Sequence, residues 1–459
     1  MIETQKVERG ITKMFKKQIA LFLATAMIVL SLAGCAGSSN NSTKDDKNAA
    51  TGTNESKEDT SKTDTTASTG DVVKFLAYAC ISGNNAESGR QVTMAAETAE
   101  WYINNKLGGF PSLGGRKIEI EVLDSTSDAA TASLPLERAL SAGGYTAVIG
   151  NSTSSIALTM LPILEKYEIP AITGAAANKA VTDQGSSFVF QPAATSKSFI
   201  PTQLDFLEEY AAKLGKDIKD LKLGLVYAND AWGTDQANNT RKQVDERGLN
   251  LTLDESYEIN SFTDASPLVT KLKNAKIDVI LPSSYPNDIK LIFTAMKSLS
   301  FSPLIVGGGA AMTWPSLYKD LGDDVNGITS VDSWCWDQKG AKDNPQWMEM
   351  NDYYEKTYGE FIPGQAGPTL ASIMLAYEAI ENIADTDPVK VRDELRNLNA
   401  DNSKWFKVLN GYGDFDDETG SNTDAKAVVM QWQNGKPTTI FPQEYATSVL
   451  LNPENMQPY

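Results

Sequence analysis

Residues 147–172 decide the fold. They run Ala147-Val148-Ile149-Gly150-Asn151-Ser152-Thr153-Ser154-Ser155, then place Ala157, Met160, Leu161 and Leu164 at helical spacing, then reach Pro170-Ala171-Ile172. A short apolar run ended by glycine reads as a buried strand, and apolar residues three and four apart read as a helix packed on it. The same rhythm extends upstream. An apolar strand is predicted over 72–79, and Val92, Ala95, Ala96, Ala99 and Ile103 mark a helix after it. Residues 117–123 alternate Ile118, Ile120 and Val122 against charged neighbours, as a strand does, and 134–140 are helical. This βαβα order predicts a parallel sheet covered by helices on both faces.

A second cycle follows. Helices are predicted over 198–214, 233–247, 267–275 and 289–299, and strands over 223–227, 251–257, 278–281 and 304–306. Beyond Val331 the pattern is mainly helical, at 346–358, 369–384 and 388–398, and closes in a hairpin-like region around 412–433. Two α/β units of similar size suggest a ligand in the crevice between them. In such sheets ligands bind outside the carboxyl ends of the strands.

Composition narrows the chemistry. The chain has 459 residues, which suits two or three domains. It carries 41 Lys plus Arg against 59 Asp plus Glu, a net charge of −18. That balance argues against nucleic acid as a partner and against a polybasic grip on a membrane surface. There is no histidine, so Ser-His-Asp and Cys-His catalysis, HExxH zinc sites and Cys₂His₂ fingers are excluded. Cysteine occurs only at 35, 80 and 335, which excludes Cys₄ metal and iron–sulfur sites. Gly307-Gly308-Gly309 lacks the Lys-Ser/Thr of a phosphate-cradling loop. Asp414, Asp416, Asp417 and Glu418 lack calcium-loop spacing and read as a solvated turn. Trp334, Trp336, Trp347, Tyr353 and Tyr354 read as packing residues. No cofactor and no metal site is expected.

The N-terminus carries an address. Lys16 and Lys17 precede an apolar run from 19 to 32, which ends Leu32-Ala33-Gly34-Cys35. A basic start, a short apolar stretch and small residues before a cut form a secretory signal. Met14-Phe15-Lys16-Lys17 is itself a typical signal start, so initiation at Met1 or at Met14 stays open. The Leu-Ala-Gly-Cys element resembles the bacterial lipobox, which implies cleavage before Cys35 and a diacylglycerol on its sulfur. A plain signal peptide with a chance cysteine is the alternative. Residues 36–70 are Ser, Thr, Asn, Lys and Asp with almost no apolar side chain; such composition makes a disordered tether. Loss of residues 1–35 leaves 36 basic and 57 acidic residues, a net charge of −21. Cys80 and Cys335 are then either paired, as export permits, or two buried free thiols.

The loops after the strands hold the candidate ligand groups. Gly150 to Ser155 places hydroxyls at a helix start, where unpaired N–H groups favour an acceptor such as a carboxylate. Simple capping by Ser154 or Ser155 is the bland alternative. Thr173-Gly174-Ala175-Ala176-Ala177-Asn178 is a small-residue turn that lets a ligand approach the backbone. Asp230-Ala231-Trp232-Gly233 and Ser283-Ser284-Tyr285 offer aromatic side chains at strand ends, for stacking or for packing.

The ordered set of motifs is familiar. Ser82-Gly83 follows the first strand, and Gly89 precedes a helix ending Ile103-Asn104-Asn105. Then come Gly108-Gly109, Gly115-Arg116-Lys117-Ile118, Val148-Ile149-Gly150, Pro170-Ala171-Ile172-Thr173, Trp232-Gly233, Phe262-Thr263-Asp264 and Phe415-Asp416 with Gly420. Over residues 71–440 this order resembles the leucine/isoleucine/valine-binding family, the extracytoplasmic substrate-binding proteins of branched-chain amino-acid-type ABC importers. The resemblance implies an α/β, type I periplasmic-binding-protein fold: two doubly wound parallel-sheet lobes joined by three hinge crossings, near 192–196, 331–335 and 411–415. Residues 71–193 with 334–412 would form one lobe, and 194–333 with 413–459 the other. It implies a monomer, tied to the extracytoplasmic face of the membrane through lipid on Cys35, that closes on a small molecule and delivers it to an ABC permease. A receptor module reporting to a membrane sensor is the alternative. An enzyme would need a carboxylate pair or a metal site, and no such constellation stands out.

Site residues carry over one by one. The resemblance implies ligand contacts from Ser152, Thr153 and Ser154, with the Ser154 hydroxyl on a ligand carboxylate. It implies backbone donors in the turn Ala175, Ala176 and Ala177, one hydroxyl short because the family often has threonine where Ala177 stands. Trp232 takes the place of a tyrosine before glycine and keeps an aromatic wall, and Tyr285 matches a second tyrosine. Ser88 stands where a first-loop aromatic is usual. The acid that would accept a ligand ammonium falls near Gly309, where there is none. Asp230 or Asp332 then does that work, or the ligand lacks an ammonium. The expected ligand is an amino acid of unusual type, or a related small carboxylate or amide.

Overall fold

The computed structural model describes residues 72–411 and 413–459. The expected signal segment, Cys35 and the tether lie outside the described residues. Five strands, β1 (Val73–Ala79), β2 (Ile118–Asp124), β3 (Tyr145–Ile149), β4 (Ala171–Ile172) and β5 (Val189–Phe190), form a parallel sheet in the order β2-β1-β3-β4-β5. They are linked by α1 (Ala86–Asn105), α2 (Ser133–Ala142), α3 (Ser154–Tyr167) and the short α4 (Ala180–Asp183).

The chain then repeats this plan. After α5 (Ser196–Lys213) come β6 (Lys222–Ala228), α6 (Ala231–Arg247), β7 (Asn250–Tyr257), α7 (Ser266–Asn274), β8 (Val279–Ser283), α8 (Pro286–Ser298), β9 (Leu304–Gly307), α9 (Pro315–Leu321) and β10 (Thr329–Asp332). These strands pair in the order β7-β6-β8-β9-β10, the same 2-1-3-4-5 winding as the first sheet. An antiparallel hairpin, β11 (Val428–Gln433) and β12 (Lys436–Phe441), extends the second sheet beyond β10. The helices α10 (Lys339–Lys342), α11 (Pro345–Tyr358), α12 (Ala366–Ile383) and α13 (Pro388–Asn397) return to the first sheet, where Trp347, Leu370 and Val391 share a core with Phe75.

Strand periodicity explains why each sheet has two cores. Successive side chains on a strand point to opposite faces. Val73, Phe75 and Ala77 therefore face the core under α1 and α12, whereas Leu76 and Tyr78 face the core of α2 and α3. In the second lobe Leu223 and Leu225 face α5, and Val226 and Ala228 face α7 and α8. Each fully buried side chain of this size contributes about 1.5–3 kcal/mol by leaving water. The helix α12 is apolar almost all round, as a helix enclosed within a core must be.

Three crossings join the lobes. Phe190 belongs to the first core and Phe199 to the second; Val331 belongs to the second and Trp334 to the first. The third lies between Phe415, in the first core against Phe190 and Phe406, and Ala425 in the second. That is later than the expected 411–415, because Phe415 is anchored by its aromatic neighbours. The first and third crossings pair: the Gln191 N–H donates to the Gly420 carbonyl, and the Asn422 N–H to the Gln191 carbonyl, both at 2.9 Å.

Several elements depart from the sequence reading; the short α4, β5, α9 and α10 were not among the expected elements. The hairpin lies at 428–441 rather than around 412–433. Its turn is Asn434-Gly435, both with positive φ (53° and 78°), the two-residue turn that matches strand twist. The strand β10 was not anticipated, since Thr329-Ser330-Val331-Asp332 has one large apolar side chain. The tryptophan cluster packs as expected: Trp334 meets Trp347 at 4.9 Å between ring centroids, and Tyr353 stacks on Trp101 at 3.7 Å. Cys80 and Cys335 are buried free thiols in separate cores.

Candidate functional site

A cleft with a void of ≈ 450 Å³, counting the part open to solvent, opens at the carboxyl ends of both sheets. The first lobe contributes Asn85, Ser152, Ala175, Ala177, Gly364 and Gln365. The second contributes Phe199, Trp232, Tyr285, Ala310, Trp314 and Asp332, with Ser333 at the crossing.

The first-lobe wall is built by side chains that lock a loop. Asn151 is fully buried; its Oδ1 accepts the Thr153 N–H (2.8 Å) and its Nδ2 donates to Ser125 Oγ (2.9 Å). Asn85 Nδ2 donates to Thr153 Oγ1 at 2.7 Å, and the Cys80 sulfur lies 3.3 Å from the same oxygen. With Thr153 held on both sides, Ser152 is left lining the cleft, where its hydroxyl bonds to that of Ser88. Ser154 is turned away: its Oγ accepts the Asn178 N–H at 3.2 Å, and it is not among the cleft-lining residues. Of the two serines in this loop, Ser152 and not Ser154 lines the cleft. Ser88 stands behind Ser152 as support. In the small-residue turn Ala175 and Ala177 face the cleft, whereas the Ala176 carbonyl is engaged by Gln191 Nε2 at 2.6 Å.

The second-lobe wall is aromatic and acidic. Asp230 caps α6, its Oδ1 accepting the Gly233 N–H at 2.8 Å, and its Oδ2 accepts the Tyr285 hydroxyl at 2.7 Å. Tyr285 and Trp232 tilt together at 58° with centroids 5.2 Å apart. Gly309 has φ of +97° and does not line the cleft; a Cβ there would stand 3.1 Å from the Phe199 ring, which lines the cleft instead. On the neighbouring strand Asp332 ends β10, with Thr313 Oγ1 donating to its Oδ2 (2.8 Å) and the Ser333 N–H to its Oδ1 (2.7 Å). Burial pushes the Asp332 carboxyl up to about 6, against the pull of donors from Thr313, Ser333 and the Trp334 backbone. Burial also raises Asp230, opposed by Gly233 and Tyr285, and with the Asp230 charge holds the Tyr285 phenol well above its ordinary value.

Two hydrogen bonds span the lobes at the rim: Asn178 Nδ2 donates to the Ala231 carbonyl at 2.7 Å, and Asn84 Nδ2 to Asn260 Oδ1 at 2.6 Å. The cleft thus combines Ser152, Ala175, Ala177, Trp232 and Tyr285 from the expected set with Asp332, named as one replacement acid. Asn85, Phe199, Ala310, Trp314, Ser333, Gly364 and Gln365 were not anticipated.

Residues 73–437 match the model of the family described as periplasmic binding protein. Leu/Ile/Val-binding protein homolog 7 of Brucella suis biovar 1 is 28% identical over 387 residues, 83% of this chain and 94% of that protein. The branched-chain amino acid transporter substrate-binding protein LivJ of Streptococcus pneumoniae, solved with isoleucine, aligns at a TM-score of 0.67 and 19% identity, over 80% of this chain and 97% of that one. A solute-binding protein of an ABC transporter from R. palustris, solved with benzoate, aligns at 0.68 and 16% identity, over 82% and 98%. The fold is that of the type I periplasmic binding proteins, and the relatives are solute-binding proteins rather than enzymes. With a family match across most of its length, this chain belongs to the periplasmic binding protein family.

Proposed function

We propose that the protein is an extracytoplasmic solute-binding lipoprotein. It captures a small molecule, an amino acid or a related carboxylate or amide, between two closing lobes and hands it to an ABC importer. One observation carries the reading: a single cleft is walled by strand-end residues of both lobes, with three chain crossings beside it. Closure of domains around ligands is a known mode of such architectures. A ligand carboxylate would lie against the first lobe, with the Ser152 hydroxyl and the Ala175–Ala177 backbone as donors. An apolar side chain would lie against Trp232 and Phe199. Structural neighbours solved with isoleucine and with benzoate support a small carboxylate as the ligand. Lipid on Cys35 would keep the folded body beside the permease.

Uptake tests the reading. Cells lacking the protein should lose accumulation of the radiolabelled solute that most stabilises the purified full chain, and regain it on complementation. Unchanged uptake, with ligand-dependent signalling instead, would favour a receptor.

A further inference from the structure

A loop of the first lobe has one side chain in the core of the second. Residues 359–365 join α11 to α12, and both helices pack in the first core, through Trp347, Tyr354, Leu370 and Ile373. The connection is tied to the first lobe on either side of Phe361. The Glu360 carboxylate accepts from the Arg90 guanidinium of α1 at 2.9 Å. Ile362 is buried in the first core, and its carbonyl accepts the Trp334 indole N–H at 3.3 Å. The Gln365 N–H donates to Gln91 Oε1, also at 3.3 Å.

Phe361 turns the other way. It is 6% exposed and belongs to the second core, with its ring centroid 6.4 Å from that of Trp432 and 6.2 Å from that of Trp336. Both tryptophans are fixed on the second lobe. Trp432 lies on β11 and donates to the Met312 carbonyl at 2.7 Å, and Trp336 donates to the carbonyl of Pro437 on β12 at 2.8 Å. Three residues after Phe361, Gly364 also lies against the second lobe: a Cβ there would stand 2.6 Å from Asp332 Oδ2 and 3.1 Å from Thr313 Oγ1. Gly364 and Gln365 line the cleft, and Phe361 does not.

The anchors at Glu360, Ile362 and Gln365 hold this backbone to the first lobe, so separation of the lobes draws the Phe361 ring out of its seat. Burial of an aromatic ring in a core is favourable. A contact made only in the closed form stabilises that form alone, and its loss speeds release of a bound solute more than it slows capture.

We propose that residues 359–365 form a strap that holds the cleft closed, and that Phe361 is the positioning residue that seats it on the second lobe. This rests on the solute-binding reading and adds to it: residence time in the cleft is set in part by a side chain outside the cleft.

Release kinetics and an interlobe distance test the strap, on the full chain in detergent. The probe is whichever of the twenty L-amino acids and benzoate raises the melting temperature most. Stopped-flow tryptophan fluorescence follows it, since Trp232 and Trp314 line the cleft. Phe361→Ala should raise the release rate about 10-fold or more and leave the association rate within about threefold. The milder Phe361→Val should raise release about threefold or more, and it serves where the alanine variant does not fold. Phe188→Ala, a truncation of the same size inside a first-lobe core, is the control for lost stability and should change neither rate by more than about twofold. Spin labels at Leu134→Cys on α2 and Thr263→Cys after β7, both exposed, read the interlobe distance; the native Cys80 and Cys335 are buried. With probe bound, the wild type should give one short distance and the Phe361 variants a second, longer population. Rates and distances in the Phe361 variants that match the Phe188→Ala control overturn the strap and leave the solute-binding reading standing. Binding of none of the probes contradicts both.

Discussion

Gly89 and Gly233 occupy the same place in the two lobes. A Cβ on Gly89 would stand 2.0 Å from the Cys80 carbonyl oxygen, and one on Gly233 would stand 2.0 Å from that of Ala228. Each glycine lets the first turn of a helix, α1 or α6, press against the end of the first strand of its lobe. The obstacle is backbone, which cannot swing aside. Gly89→Ala and Gly233→Ala should each destabilise the protein by about 1–3 kcal/mol, the usual cost of overpacking. Urea unfolding checks this; a loss below ~0.5 kcal/mol in both would contradict the close approach.

Asp332 links stability to pH in a direction opposite to most acids. Its folded pKa of about 6 lies above the ordinary 3.8. Between those values the folded chain binds more protons than the unfolded one, so stability falls as pH rises from about 4 to about 6 and stays reduced above. Asp332→Asn should therefore stabilise the ligand-free protein at pH 7.5, by at most about 3 kcal/mol, with the difference vanishing toward pH 4. Asp288 is also raised to about 6 by burial, so the variant-minus-wild-type difference is the informative quantity. Affinity for an ammonium ligand should fall as pH drops through about 6, because the neutral carboxyl no longer pairs. Thermal melts and titrations across pH 4–8 read both effects.

Asn178 ties the lobes together at the rim. Its Nδ2 donates to the Ala231 carbonyl while its Oδ1 accepts the Ala180 N–H. Asn178→Asp keeps the second bond and sets an acceptor against the carbonyl. Ligand affinity should drop about 10-fold, in line with one lost hydrogen bond of ~1–1.5 kcal/mol. Titration calorimetry checks it, and an unchanged affinity would show that this contact does not hold the closed form.

Cys35 carries the proposed anchor. Cys35→Ala should shift the protein from the membrane pellet to the soluble fraction, with the folded body and its binding unchanged. Retention in the pellet after a carbonate wash would contradict a lipid link through this residue.

The fold was legible because the apolar runs are short, alternate with helical spacing, and repeat in two cycles. The βα order therefore followed, and with it the strand ends where a ligand would sit. Details were lost where the decisive interaction is distant in sequence. Ser152 rather than Ser154 faces the cleft because Asn151, Asn85 and Cys80 hold the loop, and the last two lie on another strand's end. At Gly309 φ is +97° and a Cβ would crowd the Phe199 ring, from the start of α5, so a side chain there would be strained. Asp332 sits at the end of a strand too short and polar to recognise. The Asn434-Gly435 turn was readable as a hairpin signal, and its position corrects the placement around 412–433.

The central claim is that one inter-lobe cleft holds the ligand. A crystal structure of the protein with its tightest-binding solute tests it most directly. The solute should lie with its carboxylate near Ser152 and Ala175 and its nitrogen within ~3 Å of an Asp332 oxygen, at salt-bridge distance. A solute bound outside this cleft would contradict the account.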